Sequence, residues 1–224
     1  DLDACKKRGI EVGWEPGVNK RSVAEMSVGF MLALSRNLYL TSNQLKRSTW
    51  NKNGGYQLSD KKVGIIGLGG IGKEVIRLLK PFGCEFLVND ILDIKDYAKT
   101  NNLKSCSKNE IYKYSDIISI HTPLTPRTLN LFNEETFGIM KPSAFLINTA
   151  RGGIINQAHL KSALQNNTIA GAALDVYAEE PPIDTQFLKL PNLICTPHIG
   201  GNSYEAIVNM GKSAIKHLLK YSKK

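Results

Sequence analysis

No apolar run in the sequence approaches the roughly 18 residues a membrane span needs, and the first residues carry no signal-peptide pattern. A membrane partner is therefore not expected, and a cytoplasmic setting is. Cysteine is scarce: the four, Cys5, Cys84, Cys106 and Cys195, lie far apart, without CxxC or zinc-ligand spacing. Reduced, buried thiols and no metal site follow. Acidic residues are outnumbered, 20 against 29 Lys and Arg, giving a formal net charge of +9 and a pI near 9.3. The basic residues are nevertheless dispersed, and aromatics make up only 8%. No basic stretch interleaved with stacking aromatics exists, so nucleic acid is not an expected partner. The surplus reads as a solvated, lysine-rich surface, one able to attract an anionic substrate. Internal repeats and low-complexity linkers are absent too.

What is present is ordinary globular material: 224 residues, 42% hydrophobic and 22% charged. From about residue 62 onward, short apolar runs alternate with helical patterns. Strands are predicted at 63–66, 86–89, 117–120, 144–148, 169–174 and 193–196. Helices are predicted near 71–82, 92–100, 108–114, 134–139, 156–166 and 184–188. This order predicts an α/β fold, a doubly wound parallel sheet of Rossmann type. The runs Val63-Gly64-Ile65-Ile66 and Ile117-Ile118-Ser119-Ile120 lack polar alternation, as strands covered on both faces should. Upstream, Ser22-Val23-Ala24-Glu25 fits a capping box and predicts a long helix from near Val23 to about Leu45. Residues 1 to 20 are read as a short helix, a strand and the turn Glu15-Pro16-Gly17, and residues 203 to 221 as a last helix. Both ends fall outside the doubly wound unit, as pieces of a second domain or a dimer arm.

One glycine pattern carries chemistry. Gly67-Leu68-Gly69-Gly70-Ile71-Gly72 follows the first predicted strand directly and opens a predicted helix, which is the context that gives GxGxxG meaning. Gly67 permits a tight turn, Gly69 lets backbone amides approach a pyrophosphate, and Gly72 allows close helix packing. The helix N-terminus, at Gly70 and Ile71, offers unpaired N–H groups to phosphates. Asp90 ends the second strand, close to the roughly 20-residue offset expected of a ribose-binding acid. A carboxylate there repels a 2′-phosphate, and no arginine follows closely, so NAD is favoured over NADP. The bland alternative is an aspartate that merely starts a turn.

Three polar residues fall at the carboxyl ends of later strands, where open α/β sheets place their ligand crevice. They are Arg151 in Asn148-Thr149-Ala150-Arg151-Gly152-Gly153, Glu180 before Pro181-Pro182, and His198 in Thr196-Pro197-His198-Ile199-Gly200-Gly201. Singly, each reads as well as a surface arginine, a solvated acid or a strand-capping histidine. Together, and with Gly17 to Glu25, the glycine loop and His121-Thr122-Pro123-Leu124-Thr125, they give a chain that resembles the D-isomer-specific 2-hydroxyacid dehydrogenases over essentially its whole length.

That resemblance implies an NAD-dependent oxidoreductase exchanging a hydride between nicotinamide and a D-2-hydroxy acid/2-oxo acid pair. His198 would be the acid/base, Glu180 its orienting carboxylate, and Arg151 the fork that binds the substrate carboxylate and polarises its carbonyl. Asp175 would accept from the nicotinamide carboxamide; Thr149, Ala150, Gly200 and Gly201 would line the nicotinamide; Thr122 and Pro123 would stand beside the cofactor. The run Gly200-Gly201-Asn202-Ser203, with Glu205-Ala206 and Met210-Gly211, leans toward the phosphoglycerate branch, and 3-phosphoglycerate is the single best substrate guess. A homodimer is a family expectation, through the helix near Val23. The implied domains are a substrate-domain remnant over 1–20, the NAD-binding unit over 21–200 with its interdomain helix at 22–45, and a returning helix over 201–224. Since the family's N-terminal substrate domain is missing apart from its last stretch, the chain reads as an N-terminally truncated copy or a partial record of a longer protein. An NAD-sensing, partner-binding regulator and an inactive NAD-binding fragment remain as alternatives.

Overall fold

The computed structural model describes residues 1–221; residues 222–224, the end of the segment expected over 201–224, lie outside that range. The elements run in the order α1 (Leu2–Lys7), α2 (Lys20–Ser35), α3 (Leu38–Lys46), β1 (Lys62–Ile66), α4 (Gly70–Leu79), β2 (Glu85–Asn89), α5 (Lys95–Thr100), β3 (Lys104–Ser105), α6 (Lys108–Tyr114) and β4 (Ile117–Ile120), and then α7 (Glu134–Ile139), β5 (Phe145–Asn148), α8 (Gln157–Gln165), β6 (Gly171–Leu174), α9 (Thr185–Leu188), β7 (Leu193–Cys195) and α10 (Tyr204–Tyr221). All strand pairs are parallel, in the order β3-β2-β1-β4-β5-β6-β7. The order reverses between β1 and β4, and a crevice opens at that switch point, beyond the carboxyl ends of both strands.

Because successive strand residues point to opposite faces, the sheet builds two cores. Leu146, Ile118, Ile120 and Leu174 face a cluster closed by Ile111 of α6, Phe137 of α7 and Leu160 of α8. Ile147, Ile65, Val88 and Ala173 face another, closed by Phe30 and Met31 of α2 and by Val75, Ile76 and Leu79 of α4. The predicted α/β class and all six predicted strands are observed. A seventh, β3, is only two exposed residues at the sheet edge, and it carries no apolar pattern to betray it.

Three upstream expectations fail. Residues 1 to 20 contain α1 and a turn over 16–19, but no strand. The helix begins at Lys20 with Asn19 as an N-cap that makes no side-chain cap bond, so the Ser22 capping box does not form. The Ser22 hydroxyl instead donates to the Gly200 carbonyl at 2.6 Å, and Glu25 pairs with Arg21 one turn back. Nor does one helix reach Leu45: the chain breaks at Asn37, which takes a left-handed φ of 52°. The loop returning from α3 takes the Ser35 carbonyl and bonds the side chains of the two residues after it. The Tyr56 N–H donates to the Ser35 carbonyl at 2.7 Å, Arg36 donates to the Gly54 carbonyl at 2.9 Å, and Asn37 donates to the Asn53 carbonyl at 3.2 Å.

Candidate functional site

The glycine loop leaves β1 and enters α4 in a turn that only glycine can make at its first position. Gly67 has φ 97°, and a Cβ there would stand 2.5 Å from the His121 carbonyl oxygen. A Cβ on Gly72 would lie 2.2 Å from the Gly67 carbonyl oxygen, so these two glycines serve packing. Gly69 differs: nothing stands within 4 Å of where its Cβ would be. It is the N-cap of α4 and supplies no side-chain cap bond, leaving the N–H groups of Gly70, Ile71 and Gly72 for an external acceptor. An open floor above an uncapped helix N-terminus fits the pyrophosphate of a dinucleotide. Asp90 stands beside this cradle at the end of β2. Its Oδ2 accepts from the Leu68 N–H at 2.6 Å and its Oδ1 from the Leu92 N–H at 2.9 Å. It thus braces the loop, and its remaining lone pairs suit a ribose hydroxyl.

A cavity of about 380 Å³ opens at the switch point. It brings together Ile71, Thr122, Pro123, Thr149, Ala150, Arg151, Asp175, His198 and Gly201 from the sequence-derived set. Glu180 lines an adjoining cavity of about 610 Å³, which shares Arg151 and His198 with the first. Gly67, Gly69, Gly70, Gly72, Asp90 and Gly200 do not line the first cavity; they shape the cradle or back the wall. Thr149 is buried, and its hydroxyl donates at 3.0 Å to Ser27 Oγ, whose own proton goes to the Val23 carbonyl.

Three short segments hold the polar trio. At the end of β5, the buried Asn148 accepts from the Ala150 N–H at 3.0 Å and donates to the Arg151 carbonyl at 2.9 Å. That clasp presents Arg151 with its guanidinium in solvent, one nitrogen on the Ala150 carbonyl at 2.6 Å and the other donors free for a ligand. After β6, Glu180 Oε1 accepts from the Tyr177 N–H at 3.0 Å, and Oε2 meets His198 Nδ1 at 2.8 Å. The hydrogen bond to His198 holds the Glu180 carboxyl below the usual carboxylate range; partial burial opposes this, and the Tyr177 N–H and the Arg151 charge assist. With Nδ1 committed to Glu180, the His198 Nε2 is the nitrogen left for a reacting group.

Several cavity residues were given no role by the sequence. Asn19, Val23, Asn202 and Met210, which the sequence motifs contain but to which no role was given, complete the wall from the start of α2, the His198 turn and α10. His121, quoted only as part of a motif, is a half-buried titratable group on the same wall: its Nε2 meets Ser119 Oγ at 2.9 Å, while its Nδ1 is buried without a partner. Burial pushes this imidazole down to about 3. No group of metal-ligating side chains occurs among the described residues, and no described helix is long and apolar enough to cross a membrane. The four thiols are unpaired but half-buried, less enclosed than composition suggested.

Residues 28–200 match the family model for the D-isomer specific 2-hydroxyacid dehydrogenase NAD binding domain. The chain is 39% identical over 209 residues to a D-3-phosphoglycerate dehydrogenase of Methanocaldococcus jannaschii, covering 92% of this chain and 40% of that protein. It is 37% identical over 225 residues to the Bacillus subtilis D-3-phosphoglycerate dehydrogenase, covering 100% of this chain and 43% of the relative. The chain thus spans about two fifths of the length of these curated relatives. Among solved structures, an Aquifex aeolicus D-lactate dehydrogenase complexed with NAD and lactic acid superposes with a TM-score of 0.89 at 29% identity, covering 100% of this chain and 72% of that one. An NAD-complexed D-isomer specific 2-hydroxyacid dehydrogenase of Lactobacillus delbrueckii gives 0.87, also at 29% identity, with the same coverage. The chain belongs to the D-isomer specific 2-hydroxyacid dehydrogenase family and carries its NAD-binding domain.

Proposed function

We propose that this chain interconverts a D-2-hydroxy acid and its 2-oxo acid, with 3-phosphoglycerate as the preferred hydroxy acid. The observation that carries the reading is the His198–Glu180 pair, 2.8 Å apart, beside the free donors of Arg151 at the mouth of the switch-point cavity. NAD, when bound, supplies the two-electron acceptor or donor for the carbon that bears the oxygen. Gly69, Gly70, Ile71 and Gly72 would hold its phosphates, and Asp90 its adenosine ribose. Thr122, Pro123, Thr149, Ala150, Gly200 and Gly201 would surround its nicotinamide end, and Asp175 would accept from its carboxamide.

The chain's own groups do the rest. Arg151 offers a planar, permanently charged fork to the substrate carboxylate and draws electron density from the neighbouring carbonyl. His198 removes the hydroxyl proton during oxidation and returns it during reduction; Glu180 fixes the orientation of the ring. The sequence likeness to phosphoglycerate dehydrogenases supports the substrate choice, and the net positive charge suits an anionic acid. Residues 1–20 and 201–224 belong, in this reading, to a substrate domain flanking the unit over 21–200. The working form is a homodimer in the cytoplasm, the latter in keeping with the unpaired thiols.

The test is NAD reduction followed at 340 nm (about 340, the nicotinamide absorbance band) with a panel of D- and L-2-hydroxy acids, 3-phosphoglycerate among them, alongside calorimetric NAD titration. Turnover highest with 3-phosphoglycerate is expected. Turnover on another D-acid would replace the substrate but keep the class; tight NAD binding without turnover on any acid would favour a sensing role instead.

A further inference from the structure

The turn that carries His198 is held from three directions by groups that have no part in proton transfer. Asp175, at the end of β6, is 1% exposed, yet its carboxylate is aimed entirely at this turn. Its Oδ1 accepts from the Thr196 hydroxyl at 2.6 Å and from the Ile199 N–H at 2.9 Å, and its Oδ2 from the Gly200 N–H at 2.7 Å. A Cβ on Gly200 would stand 2.9 Å from Asp175 Oδ2, so glycine there allows the close approach. From α2, the Ser22 hydroxyl donates to the Gly200 carbonyl at 2.6 Å. From the segment after β6, the Tyr177 hydroxyl donates to the Thr196 carbonyl at 3.0 Å. Between these grips His198 has φ 54°, the left-handed region that a residue with a large side chain seldom occupies without external restraint.

We propose that Asp175 and Ser22 are positioning residues that hold His198 in this conformation, so that its ring reaches Glu180 while still facing the cavity. The assignment takes its functional weight from the reading of His198 as the proton-transferring group. It also gives the Ser22-x-x-Glu25 motif a use: the hydroxyl that fails to cap its own helix ties that helix to the catalytic turn. An ionised carboxylate has about four acceptor sites, and three are committed to the turn. The one left on Oδ2 can take a single donor from a cofactor, so the same carboxylate would serve both.

Two variants probe the clasp without touching the carboxylate. Ser22→Ala removes the donor to Gly200, and Thr196→Val removes one donor to Asp175; Asp175→Asn replaces an acceptor with an amide NH2 that cannot accept from Gly200. The 224-residue chain, labelled with ¹⁵N-histidine, reports the His198 ring directly, its signals assigned by their loss in His198→Gln and its Glu180 bond by their shift in Glu180→Gln. We expect Ser22→Ala and Thr196→Val to move the His198 signals toward those of Glu180→Gln and to lower kcat on the order of tenfold, with NAD affinity and thermal midpoint near those of the parent. Asp175→Asn should lower kcat on the order of 100-fold, the scale of a catalytic group misplaced by about 1 Å. Unmoved His198 signals in both Ser22→Ala and Thr196→Val would overturn the proposal, as would a change confined to thermal stability. If no hydroxy acid is turned over, the proposed function fails while the imidazole signals still decide the positioning.

Discussion

In the proposed reaction Glu180 and His198 act on different parts of one proton transfer, so their loss should look different. His198→Ala removes the acid/base and should lower turnover by roughly 10²- to 10⁴-fold while NAD affinity barely changes. Full turnover in that variant would remove His198 from the chemistry. Glu180→Gln removes the carboxylate charge and, because both oxygens accept N–H groups, from Tyr177 and from His198, sets an amide NH2 against one of those donors. Turnover should fall while NAD affinity is retained, which steady-state kinetics beside calorimetric NAD titration would check.

His121 makes a separate prediction about stability. With its imidazole depressed to about 3 by burial, it stays neutral in the folded chain, while an unfolded chain binds a proton there near pH 6.5. Between those values the unfolded state carries the extra proton, so stability falls as pH falls, by up to about 1.4 kcal/mol per pH unit. Glu74, held down to about 2 chiefly by Arg77, and Glu180 behave oppositely: their contribution is present above the ordinary carboxylate range and is lost only in stronger acid. Urea denaturation between pH 5 and 6.5 (roughly the interval free of carboxylate titration) leaves the four histidines as the titrating side chains, and a His121 variant singles this one out. His121→Asn should flatten the slope there; an unchanged slope would show that the imidazole titrates normally. Arg151, Glu180 and His198 were legible in the sequence because each sits in a short motif at a strand end. The orphaned nitrogen of His121 was not, because it depends on what packs around it.

Among the elements, the β1–α4 turn was the most legible, since an apolar strand, three spaced glycines and an amphipathic helix are all local signals. Its glycines make a sharp contrast testable. Gly69→Ala places a methyl group in open space on extended backbone and should leave the unfolding midpoint within about 1 °C. It should nevertheless weaken NAD binding at least about tenfold by filling the phosphate floor. Gly72→Ala drives a methyl group to 2.2 Å from the Gly67 carbonyl and should destabilise the fold itself. Equal thermal losses in the two variants would deny Gly69 its ligand role. The illegible elements share another character. Asn37 breaks α2 from α3 because a loop more than a dozen residues on returns to bond there, and Ser22 bonds a carbonyl 178 residues away. Local periodicity and capping rules describe the chain before such partners arrive, so Asn37 reads as helix interior and Ser22 as a cap.

At the scale of the whole molecule, exposed apolar side chains collect in two places. Leu2, Ile10, Val12 and Trp14 near the start accompany Ile207, Ile215 and Leu218 on α10. These terminal segments touch: Lys216 pairs with Glu15 at 3.4 Å, and Gly13 lies so close to the His217 ring that a Cβ would meet it at 2.7 Å. The other set, Leu38, Tyr39, Leu45, Trp50 and Tyr56, belongs to α3 and the loop that returns from it. That arm is tied back to Ser35, Arg36 and Asn37 by three hydrogen bonds, which lowers the ordering cost of association through it. Large exposed indole and leucine side chains on a tethered arm are what a self-complementary interface requires, and this arm is where the proposed homodimer would form. Leu45→Lys combined with Trp50→Lys, at residues 56% and 73% exposed, disturbs no core contact. In sedimentation velocity the parent should run as a dimer at micromolar concentration and the double variant as a monomer, with NAD affinity retained because the glycine loop lies on other elements. A parent that stays monomeric would overturn the homodimer itself, whereas a double variant that stays dimeric would move the interface elsewhere, and the apolar face of α10 would then be the surface to mutate.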